Sequence, residues 1–227
     1  MKAMILAAGR GERMRPLSDT VPKPLLPVAG RPLIVWQLQR LRRAGITDIA
    51  VNVAWLGAMI EERLGDGAAF GVRIRYSREP AALGTAGGIV NALPSLGSAP
   101  FLVVSADIWC DCDFSRLRGA AAAAHAGSTS AHLLMVDNPH YHPRGDFTLT
   151  NGRIGIDGGE RLTYANIGIY RPDFFAGLVP GDRADLGQLL RARIPRGDIS
   201  GERCGDPWMN IGTPDDLRRL DLLLQTS

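Results

Sequence analysis

The chain has 227 residues, 45% of them hydrophobic and 22% charged, with a formal net charge of +3. That is enough apolar material for one packed domain. No apolar run approaches a membrane span, and the basic residues form neither a block nor a stripe interleaved with aromatics, so neither membrane nor nucleic acid is expected as a partner.

Met1–Gly9 could pass for a signal peptide, but its apolar run of about six residues is shorter than a secretory h-region. Lys2–Ala7 is predicted instead as a buried parallel strand that stops at Gly9. Arg10–Arg31, rich in glycine, proline and arginine, is predicted as a loop. A helix follows from Pro32, with Leu33, Trp36, Leu38 and Leu41 on one face, and it ends at Gly45. Asp48–Val53 is a second strand, Leu56–Leu64 a helix and Val72–Tyr76 a third strand. Thr85–Leu93 is a short helix capped by its threonine. Phe101–Ser105 is a fourth strand, Asp113–His125 a helix capped by Asp113 or Ser115, and Ser130–Val136 a fifth strand. Beyond it the pattern changes. Phe147–Thr150 and Arg153–Ile156 read as a hairpin around Asn151-Gly152, which suits a type I′ turn. Leu162–Tyr170 is a further strand, and Leu186–Arg193 and Pro214–Leu224 are helices.

Strand and helix alternate through residue 136, which predicts an α/β, doubly wound, Rossmann-like mixed sheet, mostly parallel, with an antiparallel extension. Ligands of such sheets bind beyond the carboxyl ends of the strands. The glycine loop after the first strand and Asp107 after the fourth fall on that edge.

Three cysteines, Cys110, Cys112 and Cys204, form no framework. They point to a reducing, cytoplasmic compartment, and Cys110-x-Cys112 lacks the spacing and the second ligand pair of a zinc site.

Glycines in Leu6-Ala7-Ala8-Gly9-Arg10-Gly11-Glu12-Arg13-Met14-Arg15 let backbone N–H groups approach a polyphosphate closely. Arg15 and Lys23 can bring two positive charges to the same phosphates. Of 26 basic residues only Lys2 and Lys23 are lysines, so a lysine inside this string, where a compact point charge differs from an arginine fork, calls for a reason. The string is neither the Rossmann fingerprint nor a Walker loop.

Leu6–Arg15, with Lys23-Pro24-Leu25-Leu26-Pro27-Val28-Ala29-Gly30-Arg31-Pro32-Leu33, resembles the signature of the sugar nucleotidyltransferase family. Leu83–Gly88 resembles its nucleobase loop, Ser105-Ala106-Asp107 its metal-binding aspartate segment, and Trp208–Pro214 its C-terminal metal motif. The resemblance implies a GT-A-like nucleotidyltransferase fold in a single domain, residues 1–227, with a nucleotide-binding part over 1–136 and a sugar-binding part over 137–227. It implies small-molecule substrates, a nucleoside triphosphate and a sugar 1-phosphate, whose phosphate attacks the α-phosphorus in line and expels pyrophosphate.

By the same resemblance Ala8, Gly9, Gly11, Glu12, Arg13, Lys23, Leu83, Gly84, Thr85 and Ser105 contact the nucleotide. Lys23 serves the α-phosphate, Arg15 the leaving pyrophosphate, and Asp107 with Asn210 holds Mg²⁺. Many family members carry aspartate at the position of Asn210. Leu134–Phe147 resembles a uridylyltransferase subgroup acting on N-acetylmuramic acid 1-phosphate in cell-wall recycling, which places Gly145, Asp146, Asn166 and Gly168 near the sugar. Arg144, His140 and His142 are candidates for the sugar's carboxylate. Arg171 is a candidate for its phosphate, since no lysine follows Lys23. A guanylyltransferase for mannose or heptose 1-phosphate is the alternative expectation, and a non-catalytic nucleotide-binding subunit is one of another class.

Overall fold

The computed structural model describes residues 1–225. Strands β1 (Ala3–Leu6), β2 (Asp48–Val53), β3 (Arg73–Arg78) and β4 (Phe101–Ser105) lie parallel in the order β3-β2-β1-β4. Their apolar residues alternate between two cores. Ile5, Val51 and Val104 pack with helices α1 (Leu33–Arg43) and α2 (Gly57–Leu64) on one face. Met4, Ala50 and Val103 pack with α3 (Gly84–Leu96) on the other. Burial on both faces is what the near-continuous apolar runs foretold.

The short ribbon of β5 (Ile108–Cys110) follows β4, then a 3₁₀ turn and α4 (Arg118–His125). The turn is capped as predicted, Asp113 accepting a hydrogen bond from Ser115 N at 2.9 Å. The fifth predicted strand, β6 (Ala131–Val136), does not continue the parallel run. The long strand β9 (Arg161–Tyr170) is inserted between β4 and β6, antiparallel to both. Outside β6 come β10 (Ile199–Arg203) and the hairpin β7 (Phe147–Thr150) and β8 (Arg153–Gly155), so the sheet runs β3-β2-β1-β4-β9-β6-β10-β8-β7. Its end curls back, and Arg161 and Leu162 of β9 also pair with Thr148 and Phe147. Asn151 (φ 50°) and Gly152 (φ 73°) form the left-handed turn that Asn-Gly predicted. The chain closes with α5 (Leu186–Arg193), β11 (Trp208–Asn210) and α6 (Pro214–Gln225).

Several expectations are corrected. Strand β10 was not foreseen, because Ile-Ser-Gly-Glu-Arg carries little strand propensity. It forms by pairing parallel with β6 from Ile199 to Arg203, and Gly201 fits beneath Ile154, where a Cβ would lie 2.5 Å from that side chain. Thr85 does not cap α3; its hydroxyl accepts a hydrogen bond from Leu186 N at 2.8 Å, and the helix starts a residue earlier and runs on to Leu96. Cys112 and Cys204, 92 residues apart, are joined in a disulfide, while Cys110 is free and buried. Asp206 beside the pair is held by Arg116 at 3.2 Å. No helix among the described residues is long and apolar enough to cross a membrane.

Candidate active site

Two adjoining cavities open at the carboxyl ends of the strands, the edge the alternation pointed to. The larger, of about 590 Å³, is lined by Ala8, Gly9, Gly11, Glu12, Arg13, Lys23, Gly84, Thr85, Ser105 and Asp107. The smaller, of about 270 Å³, is lined by Tyr141, Asp146, Thr163, Asn166, Arg191, Trp208 and Asn210 among others. Leu6, Thr85 and Ser105 line both, so the two share a wall.

The glycine loop is shaped by its own packing. Gly11 adopts φ +67° and its Cα rests against Lys23, where a Cβ would lie 3.0 Å from the lysine Cβ. The loop therefore buries the lysine stem and leaves its ammonium at the cavity. Lys23 is only 8% exposed, and its Nζ donates to Asp107 Oδ2 at 2.6 Å. A cation this enclosed needs an anionic partner. The two opposite charges assigned to phosphate and to metal thus meet on one wall, 84 residues apart in sequence.

Asn210 reaches the same edge through the antiparallel ribbon of β5 and β11, in which it pairs with Ile108. Ile211 N donates to Asp107 O at 2.9 Å, tying the C-terminal segment to the end of β4. Asn210 Oδ1 is buried and has no hydrogen-bond partner. An orphaned buried carbonyl oxygen is costly unless something satisfies it, and a hard cation with oxygen preference fits it together with the Asp107 carboxylate.

Leu83–Gly88 is clamped from the other half of the molecule. Ala184 O accepts from Ala86 N at 3.0 Å and Gly87 N at 3.1 Å, and Ala184 N donates to Leu83 O at 2.9 Å. A Cβ at Gly87 would lie 2.4 Å from Asp182 O, so this glycine is required by the strap over it. Two helix-start N–H groups are thereby spent on protein, and Gly84 and Thr85 remain as the cavity lining. Leu83 is buried and its backbone N donates to Glu79.

Asn166 reaches the smaller cavity by a bulge. The register of β9 against β6 shifts between Tyr164 and Gly168, and Asn166 takes φ 56°. Asparagine tolerates that conformation better than most residues. Trp208 Nε1 fixes the bulge by donating to Ala165 O at 3.1 Å. Asp146 accepts from Tyr164 N at 2.9 Å and pairs with His142 Nε2 at 3.1 Å. Below, the buried hydroxyls of Tyr164 and Tyr170 share a hydrogen bond of 2.8 Å, and burial raises both phenols above the ordinary tyrosine range.

Other nominated residues lie elsewhere. Arg15 is exposed and its Nε pairs with Asp19 at 2.7 Å, so it does not line the larger cavity, whereas Arg13 does and packs against Gly212. Gly145 (φ 57°) makes the turn before β7, and Gly168 packs within the sheet under His132 O. Arg171 pairs with Asp173 in a separate hollow that it shares with His125. His140 stacks edge-on against Tyr141 with ring centroids 5.3 Å apart, and Arg144 is exposed.

Sequence reasoning missed Asn52 and Glu79, which line the larger cavity as a buried network. Asn52 accepts from Ala7 N at 2.8 Å and donates to Glu79 at 2.7 Å. Polar residues inside a buried strand were the available signal. Tyr141, Trp208 and Arg191 were also missed. Tyr141 is exposed over about half of its surface (49%), and desolvation of the rest raises its phenol, reinforced by Asp216 and Asp107.

A model of the nucleotidyl transferase family matches residues 2–142. The chain belongs to that family. It is 51% identical over 98% of its length to N-acetylmuramate alpha-1-phosphate uridylyltransferase of Neisseria meningitidis, and covers 98% of that protein. The match to a mannose-1-phosphate guanylyltransferase of Mycobacterium tuberculosis is 37% identical over 60% of the chain and 38% of that protein. In fold it is similar to a putative glucose-1-phosphate thymidylyltransferase from Bacillus anthracis (TM-score 0.87, 22% identity, covering 100% of this chain and 96% of that one). The doubly wound α/β reading and its nucleotidyltransferase architecture therefore hold.

Proposed function

We propose that the protein transfers a uridylyl group from UTP to N-acetylmuramic acid α-1-phosphate, giving UDP-N-acetylmuramic acid and pyrophosphate. The observation that carries this reading is the full-length likeness to a uridylyltransferase for that sugar, which extends through the half of the chain lining the smaller cavity. Guanylyltransferase relatives match at lower identity, 35% over the whole chain in one and 37% over 60% of it in another, against 51% for the uridylyltransferase. The reaction belongs to cell-wall sugar recycling in the cytoplasm, where UTP is at hand.

In this reading the larger cavity takes UTP and the smaller one the sugar, so the sugar's phosphate meets the α-phosphorus at their shared wall. The attacking group is already an anion, and catalysis is chiefly positioning and charge neutralisation. Lys23, in the lining of the larger cavity beside Asp107, contacts the α-phosphate as charge moves to the leaving oxygen. Arg13 faces the outgoing pyrophosphate. Arg15 joins it by leaving Asp19, and an exposed pair of this kind is weak enough for a polyphosphate to displace. Glycine-loop N–H groups at Gly9 and Gly11 cradle the β- and γ-phosphates. Asp107 and Asn210 would hold Mg²⁺, which when bound neutralises phosphate charge. Asn166 and Asp146 orient sugar hydroxyls.

The test is pyrophosphate release with UTP and N-acetylmuramic acid 1-phosphate against GTP and mannose 1-phosphate. Turnover with the first pair at a kcat/KM at least 100-fold above the second is expected. Preference for the second pair would replace this reading by the guanylyltransferase one.

A further inference from the structure

The smaller cavity has one feature that the nucleotidyl-transfer chemistry does not use. Arg191, on α5, is the one cation among the described residues that lines it. Its guanidinium carbon sits 5.1 Å from the centroid of the Phe147 ring. No carboxylate among the described residues lies within salt-bridge reach of it. The cavity's own acids are engaged elsewhere: Asp146 with Tyr164 N and His142, and Asp185 as the cap of α5 through Gln188 N at 2.9 Å.

We propose that Arg191 is the specificity residue that reads a carboxylate on the sugar. A guanidinium held over an aromatic face by cation–π attraction, with no carboxylate partner of its own, keeps N–H donors for a two-point grip on a planar carboxylate. The electrostatics demand such a group. Two carboxylates line a cavity of about 270 Å³, and an acidic sugar entering there is repelled unless a cation offsets them. The residues the sequence nominated for this task do not line this cavity: His142 is spent on Asp146, His140 stacks on Tyr141, and Arg144 lies outside the lining. Arg191 also lines the sugar cavity alone and not the wall shared with the nucleotide cavity. The anion it meets is therefore on the sugar's body and not the phosphate that reacts at that wall. This inference rests on the uridylyltransferase reading and deepens it.

Two substrates that differ only by the lactyl ether test it: N-acetylmuramic acid 1-phosphate and N-acetylglucosamine 1-phosphate, each with UTP. Steady-state kinetics are measured for the wild type, Arg191→Gln and Arg191→Lys, with melting curves to verify folding. Loss of a charge-assisted grip is worth about 30-fold or more. The acidic-to-neutral ratio of kcat/KM is expected to fall by at least that factor in Arg191→Gln, chiefly through KM, with Arg191→Lys recovering part of it. Equal losses on both sugars would overturn the assignment and place Arg191 on the phosphate. An unchanged ratio would overturn it as well. A wild type inactive on the acidic sugar but active on the neutral one would instead bring down the substrate reading itself, and this inference with it.

Discussion

The two halves of the molecule build their cavities by different means. In the nucleotide half the lining comes from loops that follow parallel strands, and chain neighbours stay neighbours in the site: Ala8, Gly9, Gly11, Glu12 and Arg13 all face one hollow. In the sugar half the lining comes from side chains spread over an antiparallel strand, a bulge, a helix and a ribbon, namely Thr163, Asn166, Arg191 and Trp208. A loop site depends on backbone N–H groups and a few charges. A strand-and-helix site depends on shape and on particular side chains. The first kind suits the triphosphate common to all substrates, and the second suits the sugar that varies.

That contrast can be pressed hardest at Lys23. Lys23→Ala is expected to cost about 1,000-fold in kcat, the scale of removing one group that stabilises developing charge, while the protein stays folded with a lowered melting temperature, since a buried stem and its pairing with Asp107 are lost. Stopped pyrophosphate release and a thermal scan check both, and rapid turnover by the variant would break the assignment. The strap joining the halves comes next. Gly87→Ala forces a Cβ toward Asp182 O; overpacking of about 1–3 kcal/mol lowers the melting temperature by roughly 3–10 °C, read by calorimetry, and KM rises for both substrates because the strap serves both cavities. Asn210→Asp adds a negative charge beside Asp107 and is expected to lower the half-saturating Mg²⁺ concentration by about tenfold, within the range of one added close charge; an unchanged titration would argue against direct ligation. Cys204→Ser has the smallest effect on catalysis, with kcat retained, because the Cys112–Cys204 link joins loops that line neither cavity; a fall in kcat would contradict this.

The same contrast governs what the sequence disclosed. The parallel strands and α1 to α3 were legible from apolar runs ended by glycine, and the glycine string announced a phosphate loop because its function is local backbone geometry. The position of β9 was not legible. Its ten residues, Arg161–Tyr170, read as a strand, but which partners it takes is decided by distant surfaces. The bulge that turns Asn166 inward needs a register shift that no spacing announces. Arg191 looked like one more arginine among 24 in an amphipathic helix, and only the fold stacks it on Phe147. The Cys112–Cys204 pairing spans 92 residues and was likewise beyond reach. Arg15 and Arg13 stand two residues apart in one motif, and the loop's path around Gly11 decides which guanidinium faces the hollow.

The most direct test of the two-cavity account is a crystal structure of the protein with UDP-N-acetylmuramic acid. The account predicts uridine in the hollow lined by Ala8, Glu79 and Gly84, the diphosphate beside Lys23 and Asp107, and the sugar among Asp146, Asn166 and Arg191. A sugar lying outside that second hollow, or a diphosphate remote from Lys23, would contradict it.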